Sequence, residues 1–399
     1  MIHLPTSTTP TGDGTTSWFT LTDSHCHLKL DINTRRSTSP ASSGHVPFVC
    51  GIKRAVICGT HPDIDWGLIE DVATSPPTLD VQSVSESEES WSGAIIPGFG
   101  IHPWFVPYAE EGKEGTACVT NGKEEREEGS TSACRCCCHA NATSTNVVRR
   151  SPRELLDLLE RALERFPQAI VGEIGLDKLR GPPEPVQLEL FLGQMKLAAR
   201  YGRPVSVHCV RSFGTMLSAL QQLAFEDTPP SIVLHGFTGS LDFVRSAIKI
   251  QKRGPFVIGT GSRSKPKARP LRIFFGVGAA TSFRVKGFVD KVLPFLLKEG
   301  RALLETDAHH IFARSNDTTP TFVPSPGRSP RVPSASGGGV ERHEQRRCVQ
   351  RLEVLGCEQL GQLLWLASDG DIRVARDIVE GCERTCKDVF SFAGVLPGV

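Results

Sequence analysis

Short apolar runs recur along the chain, and most are followed by a stretch whose apolar residues fall three and four apart. Thr20–Thr22 leads into Asp23-Ser-His-Cys-His27. Arg54–Cys58, Ile95–Gly100, Ala169–Ile174, Pro204–His208, Ser231–His235, Arg272–Gly276 and Arg301–Glu305 follow. Runs this short, without polar alternation, suit strands buried on both faces. Arg153–Phe166 opens on Ser151-Pro152, a helix cap followed by proline in the first turn. Gln187–Tyr201, Ser212–Phe225, Leu241–Ile250 and Phe288–Lys298 carry an apolar stripe at helical spacing. Eight strands with intervening helices predict an α/β fold, a (β/α)8 TIM barrel. For the seventh strand the pattern offers two segments, Arg272–Gly276 and Phe256–Gly259. Beyond Glu341 a helical pattern returns over Arg346–Ala367 and Ile372–Phe390.

Four segments break the alternation: 35–47, 75–89, 108–148 and 315–339. They are rich in Ser, Pro, Gly or Glu, and the third ends in Cys134-Arg-Cys-Cys-Cys-His139. The pattern predicts exposed, disordered insertions there. Residues 1–19 then form a flexible start, and 20–399 a single barrel. Lys+Arg is 45 against Asp+Glu 44, a net charge of +1. That balance excludes both a polycation that coats nucleic acid by bulk charge and an acidic solvating protein. No run approaches about 20 apolar residues, so no membrane span is expected. The first twenty residues have neither a basic region nor an apolar core, which argues against a secretory signal or transit peptide. Thirteen cysteines, an odd number, fit a reducing intracellular compartment, cytoplasmic or nuclear.

The chemistry lies at the strand ends. His25, His27, His102, Glu173, His208, His235 and Asp307 each close an apolar run. In a barrel, the C-terminal ends of different strands converge on one mouth. His25 and His27, two apart, point the same way and make a paired imidazole grip; Glu173, Gly175 and Asp177 also share a face. A single strand-end histidine is ordinarily a hydrogen-bonded core residue. The ordered set His-x-His, Glu, His, His, Asp instead suits two divalent ions bridged by a carboxylate and an activated water.

These residues sit in motifs that resemble the TatD-related metal-dependent hydrolases, an amidohydrolase-like branch of TIM barrels. The motifs are Asp23-Ser-His-Cys-His-Leu28, Gly100-Ile-His-Pro103, Gly172-Glu-Ile-Gly-Leu-Asp177, Val207-His-Cys209, Leu234-His-Gly-Phe-Thr-Gly239 and Leu304-Glu-Thr-Asp307, with Glu383–Phe390 like the family's closing helix. They span roughly residues 20–310. Gly100–Phe105 and Gly172–Lys178 look most like a eukaryotic branch. The resemblance implies a two-metal nuclease of DNA with 3′–5′ exonuclease character. One ion, zinc, manganese or magnesium, would take His25, His27 and Asp307, the other His208 and His235, with Glu173 shared. Asp307 would accept a proton from the attacking water. His102 would touch substrate phosphate or support the site, unless it is a core residue. Asp177 would orient a ligand imidazole.

The same site also suits a metal-dependent deacylase, for example on misacylated tRNA, and the same fold suits a non-catalytic scaffold. Where the family commonly has proline after its last motif, this chain has Ala308-His309-His310. His309 is then either an extra phosphate contact or a loop residue. Arg263–Arg269 carries four basic residues in seven, as a solvated loop or as a guide for a nucleic-acid backbone. Cys26, between the two histidines, would face the core. The Cys134–His139 run lacks the pair spacing of a tetrahedral zinc site. Lys178 has the wrong parity relative to Glu173 for a metal-bridging carboxylated lysine.

Overall fold

The computed structural model describes residues 17–30, 48–74, 78–79, 95–108, 150–253, 258–259, 262–263, 268–314, 350–353 and 357–390. The 35–47 insertion, nearly all of 75–89 and 108–148, the whole of 315–339 and the Cys134–His139 run lie outside them. Eight parallel strands follow one another in hydrogen-bonded order: β1 (Ser17–Leu30), β2 (Phe48–Cys58), β3 (Ile95–Phe99), β4 (Ile170–Asp177), β5 (Val205–Val210), β6 (Ile232–Leu234), β7 (Ile273–Val277) and β8 (Ala302–Leu304). The Asp307 N–H donates to His25 O (3.1 Å) and the His27 N–H to Ala308 O (2.8 Å). These bonds bring the end of β8 back to β1 and nearly close the TIM barrel. The seventh strand is the Arg272–Gly276 candidate. Of its rival, the described residues are Ile258–Gly259, which pair antiparallel with Ser262–Arg263.

Helices α1 (Trp66–Thr74), α2 (Pro152–Arg165), α3 (Glu184–Arg200), α4 (Phe213–Gln222), α5 (Leu241–Ile248) and α6 (Leu293–Lys298) alternate with the strands. Ser151 and Glu154 cap α2 reciprocally: Ser151 N–H donates to Glu154 Oε2 (2.7 Å), and Glu154 N–H to Ser151 Oγ (3.3 Å). Such a cap contributes about 1 kcal/mol. Helix α3 buries two glutamines that hold the mouth. Gln194 exchanges two hydrogen bonds with the Ile101 backbone (2.8 and 3.1 Å), beside His102. Gln187 accepts the Asp177 N–H (2.7 Å) and donates to the carbonyls of Asp177, Arg180 and Pro182.

Past the barrel, β9 (His309–Arg314) runs parallel to β1, with His309 opposite His27. Strand β10 (Gln350–Glu353) pairs antiparallel with β9, and Thr78–Leu79 pairs parallel with β10. The helix predicted over Arg346–Ala367 is therefore wrong at its start: α7 spans Cys357–Ser368, and α8 spans Ile372–Phe390. Residues 350–353 meet the open edge of β9, and a ladder of backbone bonds overrides a weak local helix preference.

Two apolar layers result from the alternation of strand faces. Leu21, Ile57, Phe99, Val171, Val207, Leu234, Phe275 and Leu304 face the helices. The alternate positions Val56, Cys58, Ile96, Ile170, Val233, Phe274 and Leu303 fill the barrel interior and pack on Cys386, Val389 and Phe390 at the end of α8. The helix thus plugs the N-terminal end of the barrel. The other end is left to polar side chains.

Candidate metal centre

Strand parity aims the polar residues inward. On β1, His25 and His27 face the interior while Cys26 packs in the outer layer, as expected of a core thiol. On β4 the ladder with β5 shifts register between Val171 and Ile174. The shift lets both Ile170 and Glu173 point inward although they differ in parity. Gly175 makes room for the approach of β5: at φ 150°, a Cβ there would lie 2.0 Å from His208 O.

Glu173 stands at the centre, buried, with its two oxygens on different groups. Oε2 is 3.3 Å from His27 Nε2 and 3.7 Å from His25 Nε2. Oε1 is 2.6 Å from His235 Nε2, 2.9 Å from His208 Nδ1 and 3.4 Å from His102 Nε2. Asp307 Oδ1 lies 3.8 Å from His27 Nε2. The ligand atoms of His25, His27 and Glu173 fall within 4.8 Å of one another, as do those of His25, His235 and Asp307, and of His102, Glu173 and His208. The ligand atoms of all six sequence-predicted residues therefore cluster at one place, and His102 joins them there. Its Nδ1 accepts the Trp104 N–H (3.2 Å), leaving Nε2 to face Glu173.

The donor set fits a cation. The Cys58 carbonyl can only accept, so its 2.8 Å bond with His27 Nδ1 puts the proton on that nitrogen. The lone pair of His27 Nε2 then looks inward, 3.2 Å from His25 Nε2, whose own Nδ1 bonds Ser206 Oγ at 2.8 Å. Buried lone pairs and a carboxylate converging this closely need a positive charge between them. Burial alone lowers His27 and His208, but Glu173 at His27, and Asp177 and Glu173 at His208, outweigh it and hold both near 9. His25 goes the other way, held well below its ordinary value by burial and by His235. Burial also keeps His102 down to about 4. It would raise Glu173, yet the charges of His235 and His102 hold that carboxyl well below its usual range.

The supporting groups were harder to foresee. Asp23 accepts from Thr306 N (2.9 Å) and Oγ1 (2.5 Å), which ties β1 to the end of β8. Ser206 steadies His25. Glu305, fully buried, accepts the Gly236 N–H (2.5 Å) and lies 3.9 Å from His235 Nδ1. A Cβ at Gly276 would fall 1.8 Å from Glu305 Oε2. Burial and the charge of Asp307 push the Glu305 carboxyl well above its ordinary value. Asp23, Ser206 and Glu305 each precede a predicted site residue by two, and that period is the signal that finds them. Asp177 Oδ2 sits 3.2 Å from His208 Nε2 and accepts the Trp104 indole N–H at 2.6 Å. The His309 ring stacks on His27 at 4.9 Å.

A carboxylate that offers one oxygen to each of two imidazole groups, at the mouth of a parallel barrel, is the equipment of a barrel hydrolase that works with divalent metal. Comparison with known proteins places it within that class. Residues 22–324 match the model of the TatD-related DNases, and the chain belongs to that family; it is a metal-dependent hydrolase. It is 25% identical to the Cut9-interacting protein scn1 of Schizosaccharomyces pombe over 308 residues, 63% of this chain and 82% of that one. It is 31% identical to the 3′-5′ ssDNA/RNA exonuclease TatD of Edwardsiella piscicida over 172 residues, 41% of this chain and 57% of that one. The solved structure of the TatD homologue YjjV from Escherichia coli aligns with 93% of this chain and 98% of its own, at 19% identity and a TM-score of 0.48. Among the described residues no helix is long and apolar enough to cross a membrane.

Proposed function

We propose that this chain cleaves the phosphodiester bonds of DNA, as a 3′–5′ exonuclease, with two divalent ions, zinc, manganese or magnesium, in the centre around Glu173. The observation that carries the reading is the division of the Glu173 oxygens between His25 and His27 on one side and His208 and His235 on the other. His25, His27 and Asp307 would hold one ion, His208 and His235 the second, with Glu173 between them. When bound, the ions acidify a water and offset charge on the phosphoryl oxygens.

The side chains account for the rest. Asp307 is the more open carboxylate of the centre, 28% exposed at its side chain against 3% for Glu173. Burial raises its pKa, the direction that suits a proton acceptor. It would accept the proton of the attacking water. The water oxygen forms the new bond to phosphorus, the ester P–O bond opposite breaks, and the leaving oxygen takes up a proton. Asp307 holds φ 52°, a left-handed backbone that costs a non-glycine residue about 1 kcal/mol. Asp177 would keep His208 in place, and His102 and His309 stand beside the ligands as contacts for substrate oxygens. Among the described residues every cysteine is a free thiol, which supports an intracellular setting.

The test is hydrolysis of end-labelled single-stranded DNA by metal-stripped protein, with Mg²⁺, Mn²⁺ or Zn²⁺ restored and Asp307→Ala alongside. Metal-dependent release of nucleotides from the 3′ end, absent in the variant, is expected. Stoichiometric metal uptake without release would overturn the nuclease reading and turn attention to acyl esters.

A further inference from the structure

The mouth carries positive charge that the centre itself does not use. Lys178 and Arg180 follow β4, and Arg211 follows β5; all three are exposed. The two loops touch, with the Lys178 N–H donating to Val210 O at 3.0 Å. Among the described residues none of the three side chains forms an ion pair, whereas Arg150, Arg165 and Arg272 elsewhere on this barrel do.

Arg180 is also placed with care. Its backbone is fixed: Asp177 Oδ1 accepts the N–H of Leu179 (2.8 Å) and of Arg180 (3.2 Å), and Gln187 donates to Arg180 O (3.0 Å). Its guanidinium rests over the Trp104 ring, 4.8 Å from the centroid. Trp104 is itself anchored through its indole N–H to Asp177, and its ring lies 6.1 Å from that of His208. One aromatic ring therefore separates the Arg180 charge from the imidazoles around Glu173. Arg211 sits at φ 55°, a conformation that an arginine adopts only at a cost. A guanidinium seated on an aromatic face keeps its planar fork free, and that fork matches a phosphate.

We propose that Arg180, with Arg211 and Lys178 beside it, grips a phosphate flanking the scissile one, so that a polyphosphodiester chain is preferred over a single phosphoester. The inference rests on the nuclease reading and deepens it. The dinucleotide thymidylyl-thymidine offers only the scissile phosphate; the trinucleotide offers one more. Wild type should cleave the trinucleotide with a kcat/KM about tenfold higher or more, as one charge-assisted contact allows. Arg180→Gln should bring that ratio near one, chiefly through KM, with metal stoichiometry kept. Arg180→Lys should restore part of it.

Equilibrium binding of a fluorescein-labelled oligothymidylate to metal-stripped protein reads the contact without catalysis. Each arginine removed should lower the slope of log affinity against log salt by about 0.7. An Arg180→Gln protein that keeps both the length preference and the binding overturns the proposal, as does equal loss on both substrates or a wild type that does not bind the oligonucleotide. If wild type binds it, the variant binds it more weakly, and no metal supports cleavage, the nuclease reading falls while the phosphate contact stands.

Discussion

The two ends of the barrel interior use the same alternation of strand faces for opposite chemistry. At the N-terminal end, Val56, Ile96, Ile170, Val233, Phe274 and Leu303 close on Val389 and Phe390 of α8. At the C-terminal end, the inward positions hold His25, His27, Glu173, Ser206, His208, His235 and Glu305. The plug is held by burial of apolar area, which is non-directional and forgiving of detail. The mouth is held by hydrogen bonds and charge in a dry site, where each group depends on its partner. Damage to the plug should therefore lower stability, and damage to the mouth should abolish chemistry while the molecule stays folded.

The largest effect belongs to the mouth. Glu173→Ala and Asp307→Ala should each lower metal-dependent kcat by about a thousandfold or more. Their far-ultraviolet circular dichroism should stay that of wild type. Turnover near the wild-type rate in either would break the division of labour drawn here.

Phe390→Ala should do the reverse. The ring is almost fully buried against the interior strands, so its loss should cost about 3–5 kcal/mol in urea unfolding. Activity per folded molecule should hold; a fall in kcat with little change in stability would show that the plug and the mouth are not separable.

Ser206→Ala lies between the two. It removes the hydroxyl that fixes His25 and should weaken metal affinity by about 10–100-fold in a chelator competition. An unchanged affinity would show that the strand alone orients the imidazole.

The smallest effect is in pH. His61, on the loop after β2, is held at about 4 by burial and by Arg150, with Asp63 opposing. The folded protein resists its protonation, so its contribution to stability is present above the ordinary 6.5 and is lost as pH falls toward 4. His61→Gln should flatten the fall of metal-free melting temperature over that interval. An identical slope would assign the acid sensitivity elsewhere.

Much of this was legible in one dimension. The eight apolar runs announced the strands, and the polar residues that end them announced the mouth, because a parallel barrel must deliver strand ends to one face. Reading two residues back from His25, His208 and Asp307 also reaches Asp23, Ser206 and Glu305, since a strand repeats its face every second residue. The helix predicted from Arg346 failed for the complementary reason. Its first residues had a partner on the edge of β9 that no local window contains.

The order and period of side chains along the strands thus determined the fold class and the set of residues that could meet, because both follow from local backbone geometry. Tertiary structure alone decided how they meet. The register shift between Val171 and Ile174 turns Glu173 inward, the loop held by Gln194 swings His102 onto it, and Trp104 carries Arg180 to the rim. Each depends on contacts between segments distant in the chain, whose distances and angles no local pattern encodes.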